Sequence, residues 1–316
     1  MTITETRSSV RGQEFALGLL LSALESHRVP HAYIFAGLPG VGKKTTARWW
    51  AQKRLCTLNE SKACGNCPAC LRVAAGSHPD VLWINFQRQA QLLKEPPEKQ
   101  RVLKIDTLRD MEKNLRLKPL EGQRKIAVIH PADEMAEAAA HALLKILEEP
   151  PPETQIILIV ERAASLLPTL RSRCQLVRFC PLPLPDLEAI LEVEQSSYSS
   201  EERALASRAA GGSVTHAVAF LEKAEDVSFD WETAKLSELV SWCEGFQNPR
   251  LGRPAVEKVL TSLLGRFQEE VHQGRRPAEH LERVLKSFQR LRHNVSPALI
   301  LEILLLKLRR ENKTSR

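Results

Sequence analysis

The sequence predicts an α/β domain built on a parallel sheet, followed by two all-helical domains. Three observations predict it. Short apolar runs at 32–36 (AYIFA), 81–84 (VLWI), 125–129 (KIAVI) and 155–160 (QIILIV) alternate with segments of helical spacing, and strands apolar on both faces belong to parallel sheets covered by helices. Beyond Cys180 no such run recurs and helical periodicity takes over. The chain has 316 residues, more than one core ordinarily serves, and its 43% hydrophobic content is enough to bury two or three.

The first element is the apolar run 15–24 (FALGLLLSAL), preceded by Arg7 and Arg11. It is too short to span a bilayer, and Glu25-Ser26-His27-Arg28 follows where a signal peptide would carry small residues. Cytoplasmic residence, without a membrane partner, is therefore expected. The strand at 32–36 runs into Gly37, Gly40, Gly42, Lys43, Lys44 and Thr45 (GLPGVGKKT), and a helical segment begins at Lys43. Strand, glycine loop and helix form the setting of a phosphate-binding loop, whose backbone N–H groups face phosphates and whose lysine reaches the β and γ oxygens. The next residue of a working loop gives a hydroxyl to magnesium. Here that residue is Lys44, and Thr45 is turned a further ~100° around the helix. The loop therefore supports phosphate binding and argues against hydrolysis; a glycine turn that only joins strand to helix remains the alternative.

Cys56, Cys64, Cys67 and Cys70 follow with spacing C-x7-C-x2-C-x2-C. In a reducing compartment four clustered thiols are a metal ligand set, and four thiolates complete the closed tetrahedral shell of one structural zinc per chain. The polar stretch 87–100, with Pro96-Pro97, reads as an exposed loop. After the strand at 125–129, nucleotide hydrolysis would need acids for metal and water, but His130-Pro131 stand there. Asp133 and Glu134 come later, in the position of helix-capping acids. The strand at 155–160 leads to Arg171, Ser172, Arg173 and Cys174. Taken alone, such an arginine either pairs with a surface carboxylate or reaches an anion. Pro181-Leu182-Pro183-Leu184-Pro185 is a stiff linker, which sets the expected domains at 1–180, 181–226 and 227–316. The formal net charge of +7 suits an anionic partner such as nucleic acid and equally a solvated basic surface.

Taken in order, HAYIFAG, the cysteine module, HALLKILEEPPPET (141–154), LLPTLRSRCQ (166–175) and NVSPALILEILLLKL (294–308) resemble the clamp-loader branch of the AAA+ ATPases, specifically its bacterial delta-prime family. The resemblance implies a RecA-like domain, a helical lid and an all-helical collar. It implies a hetero-pentamer with gamma/tau and delta subunits of DNA polymerase III, acting on the sliding clamp and primed DNA in replication. It further implies that Arg173, in the Ser-Arg-Cys motif, enters a neighbouring subunit's ATP site, where a permanently charged planar fork stabilises a transferring phosphoryl group. Lys44, His130-Pro131 and Thr215, which stands at the lid arginine of motor subunits, depart from the ATPase pattern. The expectation is a subunit with no catalytic centre of its own, in which ATP or ADP binding stays open. The competing reading is an ATP-hydrolysing gamma/tau-like motor subunit.

Overall fold

The computed structural model describes residues 10–58, 63–222, 231–247, 249–291 and 295–314. The chain divides into two compact units, Met1–Leu187 and Glu188–Arg316.

In the first unit, five parallel strands lie in the order β2-β3-β4-β1-β5: β1 (Ala32–Ala36), β2 (Val81–Ile84), β3 (Lys125–Ile129), β4 (Thr154–Val160) and β5 (Gln175–Arg178). Alternation of side chains along each strand divides the core in two. Tyr33, Phe35, Val128, Ile157 and Ile159 meet Leu17 and Leu20 of α1 (Glu14–Glu25) and Ala47 and Trp50 of α2 (Lys43–Leu55). Ile34, Ile129, Ile156 and Leu158 meet Leu108 and Met111 of α5 (Ile105–Arg116) and Leu143 and Ile146 of α6 (Glu137–Glu148). The result is a three-layer α/β fold, as expected from the apolar runs. Because every strand points the same way, Gly37, His130, Glu161 and Phe179 all leave the sheet along one edge.

Three expectations are corrected. Strand β5 was not foreseen, since only Val177 of its four residues is buried and an edge strand of this kind carries no apolar run. Residues 87–100 are not simply an exposed loop. Helix α4 (Phe86–Leu93), capped by the Asn85 side chain, occupies half of the stretch, and Gln89 and Gln100 are buried. Their amides are satisfied internally: Gln89 Nε2 donates to Gln100 Oε1 at 2.7 Å, and Gln89 Oε1 accepts from Lys104 N and Thr107 Oγ1. Polarity predicts exposure only where no such partners exist. Finally, α6 starts at Glu137, and Asp133 accepts from the N–H of Glu161 at 3.0 Å instead of capping it.

Between α2 and β2 lies α3 (Pro68–Ala75), begun by a proline at its first turn and ended by Gly76 in the left-handed region. Asp80, fully buried at the mouth of β2, accepts three N–H groups, from Leu120 at 2.7 Å, Glu121 at 2.9 Å and Gly122 at 2.8 Å. Glu121 in turn meets Arg72 of α3. Asp80 thus fixes the turn that feeds β3, and Glu121 ties that turn to the cysteine segment.

The second unit is helical: the last seven residues of α8 (Leu184–Glu194) belong to it, followed by α9 (Ser200–Ala209), α10 (Val214–Glu222), α11 (Leu236–Glu244), α12 (Pro249–His272), α13 (Ala278–Leu291) and α14 (Pro297–Thr314). Helix α9 opens on a reciprocal capping box between Ser199 and Glu202. Leu260, Leu264 and Phe267 of α12, Val284 of α13 and Leu301, Leu305 and Leu308 of α14 are buried. Arg276 lies over the Phe267 ring at 4.1 Å and pairs with Glu232 at 2.7 Å and with Glu270. Among the described residues no helix is long and apolar enough to cross a membrane.

Asp80→Ala is expected to destabilise the first unit by about 3 kcal/mol, because it removes a buried charged acceptor and orphans three N–H groups. Urea titration followed by the fluorescence of Trp49, Trp50 and Trp83 checks this. Burial alone would raise the Asp80 pKa, but the three N–H groups outweigh it and hold it below the usual value. A depressed folded pKa gives stability that is complete above the unfolded carboxylate range, about pH 4, and lost as pH falls through the folded value. Wild type should therefore lose stability in acid more steeply than Asp80→Asn.

Candidate functional site: a glycine loop, a cysteine cluster and a tethered arginine

The loop that follows β1 joins it to α2 through glycines in the left-handed region. Gly40 and Gly42 take φ of 70° and 96°, and a side chain on Gly42 would meet nothing within 4 Å, so only backbone conformation requires glycine there. Gly37 differs. A Cβ on it would come within 2.6 Å of the Phe179 carbonyl oxygen. Its smallness serves the close packing of the β1 exit against the β5 exit, a demand of the fold whether or not a ligand is present.

Lys43 begins α2 and is only 6% exposed. Its ammonium is turned back on its own loop, donating to the carbonyls of Leu38, at 2.6 Å, and Gly37. Burial lowers its pKa to about 8, with Lys44 adding to the fall and Glu161 and Asp133 opposing it. Lys44 is exposed and Thr45 half-buried, while the hydroxyl of Thr46 donates to the Gly42 carbonyl at 2.9 Å. At the end of β3, His130 is half-buried and its Nδ1 has no hydrogen-bond partner among the described residues. Burial, then Lys44 and Lys43, push its pKa down to about 4. The peptide bond to Pro131 is cis. The strand end that would carry metal-binding acids thus carries a neutral imidazole facing two lysines.

A residue the sequence did not single out welds this edge together. Gln13, 3% exposed, donates through Nε2 to the carbonyls of Val41 at 3.1 Å and Cys180 at 2.7 Å, and accepts from the N–H of Cys180 at 3.1 Å. Loop and β5 exit are thereby held by one amide. Preceding an apolar helix, Gln13 reads in the sequence only as a residue at a helix start.

The spacing of Cys56, Cys64, Cys67 and Cys70 does bring the four together: their sulfurs lie within 4.8 Å of one another, with Cys56–Cys67 at 4.0 Å and Cys64–Cys70 at 3.9 Å. Proline at the first turn of α3 and Gly65 in the left-handed region shape the bends between them. The N–H groups of Cys67 and Cys70 point at the sulfurs of Cys64 and Cys67, at 3.2 and 3.4 Å, and such N–H groups favour the thiolate form. Burial opposes ionisation of Cys67, yet the N–H groups of Cys70 and Thr57 outweigh it and bring its pKa to about 6. The set fits a metal ion. Among the described residues it is the one group of three or more such ligands that could hold one.

Arg173 lies in the turn between α7 (Pro168–Arg171) and β5, with its side chain 36% exposed. Its Nη2 meets Glu148 Oε1 at 2.8 Å and its Nη1 donates to the Thr169 carbonyl at 3.1 Å. Arg171 is exposed, whereas Cys174 is half-buried and burial pushes its thiol up to about 12, which excludes it as a nucleophile at neutral pH. Thr215, in the second unit, is exposed.

Gln13→Leu keeps the volume and removes the amide, leaving three backbone groups without it. The expected cost is about 2 kcal/mol, together with faster native-state hydrogen exchange at Cys180 and along residues 37–42. Unchanged exchange in both segments would show that the amide does not couple them.

Residues 12–183, more than half of the chain, match the family described as DNA polymerase III, delta subunit. Curated relatives include DNA polymerase III subunit delta' of Pseudomonas aeruginosa, 39% identical over 48% of this chain and 44% of its own length. The subunit of the same name from Bacillus subtilis is 32% identical over 61% and 55%. DNA polymerase III subunit tau of Salmonella typhimurium is 30% identical over 70% and 33%. The chain thus spans between a third and just over half of the length of these relatives. With the ordered motifs on a five-stranded parallel sheet and the family match across it, the chain belongs to the delta-prime family of DNA polymerase III, in the clamp-loader branch of the AAA+ proteins.

Proposed function

We propose that this chain is a stator subunit of the DNA polymerase III clamp loader: it hydrolyses no nucleotide itself and assembles with gamma/tau and delta subunits in a hetero-pentamer. In that assembly it helps place the sliding clamp on primed DNA in the cytoplasm. Its RecA-like domain would span 1–180, its lid 181–226 and its collar 227–316. Arg173 would serve as an arginine finger for the ATP held by a neighbour.

The observation that carries this reading is the state of the loop. Lys43 satisfies two of its donors on its own backbone, Lys44 stands at the hydroxyl position and a neutral His130 ends β3. A hydrolytic site needs a cation to bridge the β and γ oxygens and a group to orient water. The position after Lys43 and the first position after β3 carry neither a carboxylate nor a hydroxyl. Asp133, the nearest acid to follow β3, is engaged with the N–H of Glu161. ADP or ATP could still use the open Gly42 backbone, so binding and turnover are separate questions.

The motor reading draws on the tau relatives, which align over 70% of the chain, and makes the opposite prediction. The purified chain is expected to show no ATP hydrolysis above background, with or without primed DNA. Turnover that disappears in Lys43→Ala would reject the stator reading and establish the motor one.

The metal we assign to Cys56, Cys64, Cys67 and Cys70 is one structural zinc. A tetrahedral ion about 2.3 Å from each sulfur would put the sulfurs about 3.8 Å apart; two of the separations are 3.9 and 4.0 Å, and all lie within 4.8 Å. With four protein ligands no position is left for substrate, so the ion would hold the segment together and do no chemistry. Metal analysis should give about one zinc per chain. Cys67→Ser should lower that content and the thermal stability of the first unit, whereas a metal-free wild type of equal stability would remove the assignment.

A further inference from the structure

We propose that Glu148 is a positioning residue for Arg173, fixing the guanidinium in the direction from which it reaches a neighbour's nucleotide. The inference rests on the trans role of Arg173 proposed above.

Each partner stands on a rigid support. Glu148 is the last residue of α6, directly after buried Leu147, and Pro150, Pro151 and Pro152 prevent the helix from continuing. Arg173 comes three residues after buried Leu170 of α7, in the same core cluster as Leu147. The 2.8 Å pair therefore joins two packed elements, and the Thr169 carbonyl at 3.1 Å and Ser172 Oγ at 3.4 Å hold the other terminal nitrogen.

A surface pair of this kind adds little to folding stability. What it changes is the freedom of the side chain. An unpaired arginine would sample many rotamers, and each assembly event would have to immobilise it; a guanidinium already held spends less on that step. A guanidinium has five donors in a planar fork. Glu148 and Thr169 anchor one nitrogen each, and with a side chain 36% exposed the remaining donors have access to solvent. Placing an acid at the carboxyl end of a helix is unfavourable by itself, because the helix dipole is negative there. Glu148 and Glu149 both occupy that end, so the cation is drawn to it as well as tethered.

The test uses the reconstituted loader with primed DNA, reading ATP turnover at saturating nucleotide and the KM for ATP separately. Glu148→Ala should lower turnover at the served site by about tenfold and leave KM unchanged. Glu148→Gln should restore most of it, since the amide oxygen still accepts from Nη2. Arg173→Ala should cost more, about 10³-fold or greater at that site, and Arg173→Ala combined with Glu148→Ala should be no worse than Arg173→Ala alone. Arg171→Ala is the control for a nearby exposed arginine. If Arg173→Ala is impaired while Glu148→Ala matches wild type, the positioning role falls and the finger stands. A Glu148→Ala loader faster than wild type also overturns it, because the carboxylate would then be a restraint. If Arg173→Ala itself matches wild type, the trans reading is withdrawn and the positioning role with it. Both side chains are at the surface, so assembly of each variant, read by size-exclusion chromatography, should be unaffected.

Discussion

The close approach of the β1 exit to the β5 exit is the constraint from which the rest of the loop edge follows. Phe179 donates its N–H to Ala36, its ring packs on Phe35 at 5.2 Å, and its carbonyl leaves room at Gly37 for hydrogen and nothing larger. Gln13 adds a second fastening between Cys180 and Val41. A chain that lost nucleotide chemistry would still need glycine at position 37 and a tight turn after it, because the sheet needs them. Retention of the loop's form is therefore no sign that its chemistry is retained. At Gly42 added bulk would touch nothing, and glycine is set there by backbone conformation.

Electrostatics at the same edge point in one direction. A buried ammonium without an anionic ligand is costly, and Lys43 meets that cost with two carbonyls and a pKa lowered by burial. Had an aspartate ended β3, it would have stabilised the ammonium and offered a metal its first ligand. A neutral imidazole does neither, and its depressed pKa records the repulsion of Lys44 and Lys43 on top of burial. Of the charges that remain nearby, Asp133 and Glu161, the Asp133 carboxylate accepts from the backbone N–H of Glu161.

What could be read from the sequence was whatever is written in contiguous residues. The four apolar runs became β1 to β4, the glycine loop took its predicted form between β1 and α2, and the cysteine spacing brought its sulfurs together. Strand β5 escaped because QLVR buries a single valine, and residues 87–100 were misread because polarity was taken for exposure while Gln89 and Gln100 satisfy one another inside. The other omissions share a different cause. Gln13 with Cys180, Asp133 with Glu161, Asp80 with Gly122 and Glu148 with Arg173 are contacts between residues 25 to 167 positions apart, and a single sequence records neither partner. For Arg173 the sequence offered two readings, a surface ion pair or an anion contact, and the Glu148 pair is present in the isolated chain. A paired arginine is also a preorganised one, so the two readings are compatible.

The cysteine segment follows a different logic from the sheet. Its buried cluster consists of Cys56, Ala63, Cys67, Ala69 and Cys70, with Cys64 packed against it. Alanine and cysteine side chains remove little apolar surface from water, far less than the leucines and isoleucines on either face of the sheet. A cluster so small cannot by its own burial offset the entropy of ordering the chain around it. Its external ties are Val73 of α3, fully buried in the core on the α1 and α2 side of the sheet, Gln52 Nε2 to the Cys70 carbonyl at 3.0 Å, and the exposed ion pair of Arg72 with Glu121. A metal held by the four sulfurs would supply what burial does not, because metal binding to a site that the unfolded chain lacks appears directly as folding free energy. Arg72 then carries that order to Glu121, beside the turn that Asp80 fixes at the entrance to β3. The segment is thus tied to the end of the sheet opposite the glycine loop, where it can stabilise the first unit without taking part in anything the loop does.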